Sequence, residues 1–287
     1  MNRKTALYIT GVLLMLNIFA WKEAFLLVNS GELKIYFLNV GQGDSAFIQT
    51  PQLHQILIDG GPDSTILSKL QILMPVRDKT IDIVVLSHPE KDHLMGLLAL
   101  LQIYKIDYVL WTGVVRDTAE YKEWVKLLEK AKQEGTKILI AKANLKIKAG
   151  QVAINTLYPF EYLEGEIMKN TSNDSGVVSK IVFGKDSLLF TGDITSRVEK
   201  ELLSKESDLA SDVLKVAHHG SKYSTSDEFL EEVNPKIAVI SVGENSYGHP
   251  TPETLQRLEN FGIKVLRTDT EGDIEIVSDG KSIYRQE

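Results

Sequence analysis

The sequence predicts an α/β domain preceded by one apolar N-terminal segment, and three features support this prediction. Short β-rich runs open the domain, a continuous β-branched run at 81–86 indicates a fully buried strand, and amphipathic helical patterns alternate with further apolar runs. The 287 residues suffice for one large domain with an appendage, and 43% hydrophobic and 25% charged residues are ordinary for a folded chain. Two packed sheets with helices on both outer faces fit this order of elements.

The N-terminal segment is predicted to anchor the chain in the cell membrane. Arg3 and Lys4 precede an uncharged stretch of 17 residues (5–21), near the lower limit for spanning a bilayer. Positive charge before an apolar stretch predicts a cytoplasmic N-terminus and an extracytoplasmic remainder. We therefore expect residues 1–29 to form a single-pass anchor and residues 30–287 to form a domain outside the membrane. The alternatives are a cleaved signal peptide, which gives a secreted protein, and a buried core helix.

The first half of the domain is predicted to open with an antiparallel meander. Its three β-rich runs, the last two joined by a turn at Pro51, lie at 33–39, 45–50 and 55–59. The buried strand at 81–86 stops before Pro89, so His88 lies at a strand end. Helical spacing then predicts a helix over 92–104, and Asp117 or Thr118 caps an amphipathic helix that reaches Gly135.

The second half alternates strands with helices. Strands are predicted at 136–141, 152–157, 177–183, 187–191, 212–217 and 236–242. One helix begins at Ser226, and another begins at Thr251 with Pro252 in its first turn and ends near Gly262. Further strands close the chain. No linker or repeat interrupts the sequence after the anchor, so we treat this part as one domain.

The densest group of chemistry-bearing residues follows the buried strand. The segment His88-Pro89-Glu90-Lys91-Asp92-His93 places four metal-ligand side chains within six residues. The chain contains no cysteine, so any metal site must use nitrogen and oxygen ligands. In an extended loop His88 and Glu90 point to one side, and Asp92 and His93 at a helix start turn back toward them. The alternative is a solvated charged turn in which Asp92 caps the helix.

Three later segments supply further ligands, each at the end of a predicted strand: Thr191-Gly192-Asp193, Ala217-His218-His219-Gly220-Ser221 and Tyr247-Gly248-His249-Pro250. Neighbouring glycines let backbone and ligand approach closely, and strand ends hold side chains more rigidly than mobile loops do. Each segment alone is more often a turn, a surface pair or the start of a helix. Together with the first cluster they predict a metal site.

Several other residues have competing interpretations. Gly41-Gln42-Gly43-Asp44-Ser45 is expected to form a tight hairpin, because strand character follows where a dinucleotide-binding fingerprint needs a helix. Asp59 lies in a turn and is a candidate to orient a metal ligand. Lys215 either adds positive potential to the site or is solvated, which is the commoner state of lysine. Tyr223 and Tyr247 either stack on a base or pack in the core.

These motifs resemble those of the metallo-β-lactamase superfamily, whose H-x-[HDE]-x-D-H signature is similar to SHPEKDHLMGL here. Residues 34–63, 173–193, 213–224 and 245–258 resemble the hydrolase domain of ComEC/Rec2 competence proteins. The resemblance covers nearly everything after the anchor and implies an αββα sandwich of the metallo-β-lactamase type. The multi-pass channel of full-length competence proteins has no counterpart in this sequence, so DNA uptake is not carried over.

The resemblance also implies the ligands of the metal centre: His88, Glu90, Asp92, His93, Asp193, which would bridge two metals, and one of His218 and His219. His219 is the expected ligand and His218 the expected phosphate-facing donor, because side chains alternate along a strand.

Two residues depart from the pattern of the lactamases. Glu90 stands where they have a histidine, and Asn173 lies near where another histidine would be. Carboxylate and amide oxygens shift the preference from zinc toward manganese or magnesium, while zinc stays an option. We therefore expect one or two divalent ions, with zinc or manganese as the leading candidates.

The expected activity is metal-dependent hydrolysis, in which the metal activates water to attack a phosphorus or carbonyl centre. The groups that would hold the developing charge or protonate the leaving group are His249, His218 and Ser221. A phosphodiester in single-stranded DNA or in a phospho-headgroup is the leading substrate. The net charge of −7 nevertheless argues against sequence-blind attraction to nucleic acid.

Two other functions stay open on sequence grounds. One is a metallo-hydrolase of a carbonyl substrate such as a lactam or a lactone. The other is an envelope-anchored binding module without catalysis, which the replacement of imidazoles by Glu90 and Asn173 suggests. The sequence leaves the oligomeric state open as well.

Overall fold

The computed structural model describes residues 3–28, 31–169 and 171–286. In this part of the chain the strands are β1 (Leu33–Phe37), β2 (Ala46–Gln49), β3 (Gln55–Ile58), β4 (Thr80–Val85), β5 (Lys105–Trp111), β6 (Lys137–Ile140), β7 (Lys146–Ala149), β8 (Val152–Tyr158), β9 (Val178–Phe183), β10 (Asp186–Phe190), β11 (Val213–Lys215), β12 (Ile237–Ile240), β13 (Lys264–Arg267), β14 (Ile274–Ser278) and β15 (Ile283–Arg285). The α-helices are α1 (Arg3–Val28), α2 (Thr65–Leu73), α3 (Lys91–Leu100), α4 (Ala119–Gln133), α5 (Ser196–Ser204), α6 (Asp227–Val233), α7 (Pro252–Asn260) and α8 (Thr268–Glu271).

The strands form two sheets of mixed direction. The first has the order β15-β14-β1-β2-β3-β4-β5-β6 and the second the order β13-β12-β11-β10-β9-β8-β7. Strands β1, β2 and β3 are antiparallel, which confirms the predicted meander. Strands β3 to β6 are parallel, as are β10 to β13. Parallel neighbours need crossover connections, and helices provide most of them here.

Three apolar layers follow from the alternation of side chains along the strands. Leu33, Ile35 and Phe37 of β1 join the core between the two sheets. The side chains of Phe47 and Leu57 point to the opposite face of the first sheet, where they pack with α2, α3 and α4. Helices α5, α6 and α7 cover the outer face of the second sheet. The resulting αββα sandwich confirms the predicted fold class.

Helix α1 lies outside these layers. Its segment Arg3–Trp21 is long and apolar enough to cross a membrane, although a signal sequence near an N-terminus meets the same criterion. This segment is not buried, which excludes the alternative of a core helix. The expected boundary between residues 29 and 30 lies outside the described residues.

The fold brings the ends of several strands to one edge of the sandwich. In the first sheet, β4 runs into the loop with His88, and α3 begins directly after that loop. In the second sheet, the parallel neighbours β10 and β11 run into the loops with Asp193 and His219. The carboxyl ends of parallel strands share one edge of a sheet, so these segments meet although they are far apart in the sequence.

Candidate metal centre

Four of the predicted ligands form one cluster at this edge. One ligand atom from each of Asp92, His93, Asp193 and His219 lies within 4.8 Å of all the others. His93 Nε2 is 3.4 Å from Asp193 Oδ1, and His219 Nε2 is 3.2 Å from Asp92 Oδ2 and 3.5 Å from Asp193 Oδ2. Two imidazoles and two carboxylates converging in this way match the nitrogen and oxygen ligands of a divalent metal.

The same cluster contains buried polar atoms that make no hydrogen bond in the described part of the chain. They are Nε2 of His88, Nε2 of His93 and Oδ1 of Asp193. The His88 ring lies beside the cluster, with its centroid 4.2 Å from that of His93. Buried polar atoms are normally satisfied, so these three require a further partner. A divalent cation fits because lone pairs from histidine and aspartate face a common point.

The other ring nitrogens of His93 and His219 are held by the protein. His93 Nδ1 lies 2.8 Å from Asp59 Oδ2, and Asp59 also accepts hydrogen bonds from the backbone N–H and the hydroxyl of Ser87. His219 Nδ1 lies 2.8 Å from the carbonyl oxygen of Ser241. Donation from Nδ1 leaves the Nε2 lone pair directed at the site, which is the tautomer that a metal ligand needs. This geometry is the one expected of an orienting role for Asp59.

The charges of the site depend strongly on burial. Burial opposes the imidazolium form of His219, but the carboxylates of Asp193 and Asp44 outweigh burial and raise the pKa of His219 to about 10. For His88, burial and the neighbouring His93 lower the pKa to about 3. Burial raises the pKa of the Asp193 carboxyl, but the nearby His219 and His93 lower it by more. The pKa of Asp193 therefore lies well below the usual value. Without a metal, protons on imidazoles thus balance the carboxylates.

Asp44 and Lys215 form a buried ion pair beneath the cluster, and sequence reasoning gave Asp44 no role at the site. Asp44 Oδ2 lies 2.6 Å from Lys215 Nζ, and Asp44 Oδ1 lies 3.3 Å from His219 Nδ1. The interpretation of Lys215 as solvated surface is wrong, because its side chain is only 4% exposed. A lysine on a short, wholly buried strand between apolar residues was the sequence signal for this pair.

The predicted hairpin at residues 41–45 abuts the metal loop. A Cβ at Gly43 would lie 2.3 Å from the backbone oxygen of Asp92, and Asp44 N donates a hydrogen bond to that same oxygen. Glycine is therefore required at residue 43 by close approach, not by a nucleotide.

An open cleft of 550 Å³ lies over the cluster. It is lined by Asn173, Thr195, His218, Tyr247 and His249 among others. The rings of His218 and His249 are 5.5 Å apart, and His218 Nε2 is 3.5 Å from Asn173 Nδ2. His218, His249 and Asn173 are thus brought together around the cluster.

His218 and His219 do face different surroundings, but not through strand alternation. Residues Ala217–Gly220 form a 3₁₀ turn, in which both histidines have the left-handed φ of 52°. This turn directs His219 into the ligand cluster and His218 into the cleft. Left-handed backbone is costly for residues other than glycine, so the tight turn is held by its surroundings.

Two predicted residues lie elsewhere. Ser221 is buried and does not line the cleft; its N–H donates to His218 O and its carbonyl accepts from the Thr254 hydroxyl. Glu90 lines the cleft but lies outside the ligand cluster, and its carboxylate contacts Arg116 and Ser172. Of the nine residues predicted to be ligands or catalytic groups, these two direct their side chains neither into the ligand cluster nor toward the donors over it.

Together, the fold and the site define a metal-dependent hydrolase domain of the αββα class. The sequence model of the Metallo-beta-lactamase superfamily matches residues 38–244, and the chain belongs to this superfamily.

Curated relatives place the chain near competence proteins. It is 33% identical over 266 residues to ComE operon protein 3 of Bacillus subtilis (strain 168), a match that covers 86% of this chain and 33% of that protein. It is 29% identical over 251 residues to Competence protein ComA of Neisseria gonorrhoeae, again covering 86% of this chain and 33% of the relative. The chain therefore spans about a third of the length of these relatives.

A solved structure shares the fold. The metallo-beta-lactamase fold protein YhfI from Bacillus subtilis superposes with a TM-score of 0.55 at 16% sequence identity, over 85% of this chain and 99% of that chain.

Proposed function

We propose that this protein is a metal-dependent phosphodiesterase that acts outside the cytoplasm on single-stranded DNA or on a phospho-headgroup. The observation that carries the proposal is the cluster of unsatisfied histidine and aspartate atoms at the floor of the cleft.

His88, Asp92, His93, Asp193 and His219 would hold the metal. Zinc and manganese both suit a mixture of imidazole and carboxylate ligands. When bound, such an ion supplies Lewis-acid chemistry: it activates water and offsets negative charge on the substrate.

The cleft residues would bind and orient the substrate. His218 and His249 each have a buried Nδ1 without a hydrogen-bond partner among the described residues. Burial and the neighbouring His218 lower the pKa of His249, so its ring is neutral at physiological pH. A neutral imidazole donates one hydrogen bond to a phosphate oxygen from its N–H. Asn173 Nδ2, close to His218, offers a further donor.

The chemistry of the cleft favours a phosphodiester over a carbonyl substrate. Its lining side chains include hydroxyls, amides and imidazoles, which can donate hydrogen bonds to phosphate oxygens. A bound metal would offset the charge of the carboxylates that also line the cleft. The names of the curated relatives refer to competence and, in a third case, to recombination. These names support DNA as the first substrate to test.

Helix α1 supports a location at the membrane. Arg3 and Lys4 precede its apolar segment, so the positive-inside rule puts the N-terminus in the cytoplasm and the hydrolase domain outside.

The test uses the full chain in detergent, stripped of metal and then supplied with Zn²⁺, Mn²⁺ or Mg²⁺. Cleavage of bis-p-nitrophenyl phosphate and single-stranded DNA is compared with hydrolysis of a chromogenic β-lactam and a lactone. We expect metal-restored phosphodiester cleavage that Asp193→Ala abolishes. The exposed Asp117→Ala is the matched control and should keep full activity, since its carboxylate is 89% exposed and forms an ion pair with Lys122.

Two results would overturn the proposal. Lactam or lactone hydrolysis without phosphodiester cleavage would identify a carbonyl hydrolase. Metal binding without any hydrolysis would identify a binding module.

A further inference from the structure

The carboxylate of Glu90, whose side chain is 24% exposed, binds protein donors through both of its oxygens. Its Oε1 accepts hydrogen bonds from Ser172 N at 2.7 Å and from the Ser172 hydroxyl at 2.8 Å. Arg116 Nη2 lies 3.1 Å from Oε1 and 3.3 Å from Oε2. Hydrogen bonds between a carboxylate and a guanidinium are among the strongest that side chains form, and they are stronger still where water is excluded. The Arg116 side chain is only 8% exposed.

Arg116 connects Glu90 to a segment that we call the strap, comprising residues 163–169 and 171–175. Arg116 Nη1 donates to Met168 O at 2.7 Å. The backbone beside Arg116 pairs with the strap as well, because Val115 N donates to Glu166 O and Met168 N donates to Val115 O. Glu90, Arg116 and Ser172 therefore fasten the strap to the loop that precedes α3.

The end of the strap forms one wall of the cleft. Asn173 and Asp174 line the cleft, and Asn173 lies beside His218. Asp174 also binds Thr195, the N-cap residue of α5, since its carboxylate accepts hydrogen bonds from Thr195 N at 3.0 Å and from the Thr195 hydroxyl at 2.7 Å. Glu90 thus holds one end of this wall, and α5 holds the other.

A second group of possible metal ligands near the cluster already contains a cation, the ammonium of Lys215. Asp44, Asp59 and His93 also lie close enough together to form a metal site. However, the ammonium of Lys215 sits 2.6 Å from Asp44, and Asp59 is occupied by Ser87 and His93. A second cation at this position would have to displace a buried lysine.

We infer that Glu90 is a positioning residue that anchors the cleft wall, and that the metal centre binds a single divalent ion through the Asp92, His93, Asp193 and His219 cluster with His88 beside it. This inference rests on the metal centre proposed above. If Glu90 bound a metal, its carboxylate would lose its contacts with the buried guanidinium of Arg116 and with Ser172. The cleft wall that carries Asn173 would then lose this anchor. The Asn173 side-chain oxygen is itself occupied by the Thr171 hydroxyl.

The experiment measures metal stoichiometry and wall mobility on the full chain in detergent. Mn²⁺ and Zn²⁺ alone are titrated calorimetrically into metal-free protein, and metal content is measured after gel filtration. We expect one equivalent for the unmodified chain and for Glu90→Gln, with dissociation constants within about threefold of each other. Asp193→Ala should lose the ion.

A matched variant tests the same contact from its other side. Ser172→Ala removes one hydrogen bond to Glu90 without touching any proposed ligand. Both Glu90→Gln and Ser172→Ala should increase hydrogen exchange at residues 171–175, and both should raise KM for bis-p-nitrophenyl phosphate more than they lower kcat.

Two equivalents in the unmodified chain, with one lost in Glu90→Gln, would overturn the inference and leave the proposed hydrolysis intact. Unchanged exchange and KM in Ser172→Ala would also overturn the positioning role. A chain that binds no ion under any condition would overturn both the inference and the proposed function.

Discussion

At the residue scale, each of the two clustered histidines contacts the protein with one ring nitrogen and faces the site with the other. Nδ1 of His93 contacts Asp59 and Nδ1 of His219 contacts the carbonyl oxygen of Ser241, while both Nε2 atoms face the cluster. This division fixes the ring angle before any ion arrives, and it leaves Nε2 as the nitrogen that can bind a metal once it has lost its proton. The affinity for the metal should therefore depend on residues that never touch it.

Asp59→Asn tests this dependence. The amide is close in shape to the carboxylate but lacks its charge, so it holds the His93 ring less strongly. We expect Mn²⁺ affinity, measured by calorimetry, to fall roughly 10- to 100-fold. Asp82→Asn is the matched control, because Asp82 also contacts a histidine, His54 at 3.1 Å, away from the cleft. Equal affinities of the two variants would contradict the orienting role.

Tyr247 is placed to contact a base. It lines the cleft yet is 73% exposed, and its loop is held by Asn245, which accepts from Tyr247 N and His249 N. We expect Tyr247→Ala to lower kcat/KM for thymidine 5′-(p-nitrophenyl phosphate) about 5- to 150-fold, from a stacking energy of about 1–3 kcal/mol. Methyl p-nitrophenyl phosphate has no base and should be cleaved as before.

Tyr247→Phe should behave like the unmodified chain, since the ring is retained. Tyr223→Ala serves as the control for a tyrosine that is equally exposed but does not line the cleft. Equal losses on both substrates would mean that Tyr247 acts on the phosphate or on the loop instead of a base.

Residue types and spacing were enough to predict most of the cluster, but not the partners of each group. Asp92, His93 and Asp193 could be named because ligand side chains are dense at 88–93 and because the motifs resemble those of the metallo-β-lactamase superfamily. The engagement of Glu90 could not be predicted, since Arg116 and Ser172 are distant in sequence and common in type. The sequence could not decide between the two interpretations of Lys215 for the same reason: its partner Asp44 lies in a loop of the other sheet.

At the element scale, long apolar runs and capped helices were predictable and short amphipathic pieces were not. The run at 81–86 and the capped helix after Thr118 appear as β4 and α4. Strands β5 and β7 and helix α2 were not predicted. Strand β5 is an exception to this trend, because it is seven residues long and largely apolar. Strand β7 has only four residues, two of them exposed lysines, and its state is set by pairing with β8. The turn at 217–220 was taken as a strand end, because left-handed histidines have no signature in composition.

The contact between α3 and the turn at residues 59–61 gives a test at this scale. A Cβ at Gly96 would lie 1.9 Å from the backbone oxygen of Gly60, so Gly96→Ala must displace the helix that carries Asp92 and His93. We expect a loss of about 3 kcal/mol in the free energy of unfolding, measured with urea, together with weaker metal binding.

The matched control for this test is Gly262→Ala. Gly262 has φ of +68° but a Cβ there meets nothing within 4 Å, so only backbone strain of about 1 kcal/mol is expected. Similar losses for the two variants would show that close packing of α3 is not the cause.

At the scale of the whole molecule, the ligand set is divided between the two sheets. His88, Asp92 and His93 follow β4 of the first sheet, and Asp193 and His219 follow β10 and β11 of the second. An ion bound between them stabilises the packed sandwich by mass action. A free concentration 1,000 times the dissociation constant adds about 4 kcal/mol.

The pH dependence of metal binding follows from the charges of the free site. The pKa of His219 is raised to about 10, and the carboxylates around His93 raise its pKa well above the usual value despite burial. These rings hold protons at pH 7, and a ligand must give up its proton. Affinity should therefore increase from pH 6 to 9, with the release of about one proton per histidine.

Calorimetry in two buffers of different ionisation enthalpy measures this release directly. Affinity that falls as the pH rises, or binding without proton release, would contradict the protonation of these rings in the metal-free chain.

The division of ligands between the sheets also makes metal content a measure of correct assembly. Neither the stretch from β1 to β6 nor the stretch from β7 to β13 contains all four clustered ligands, so a chain with only one properly formed sheet has an incomplete site. The ratio of bound ion to protein in a purified sample therefore reports the fraction of molecules in which both sheets have formed and docked.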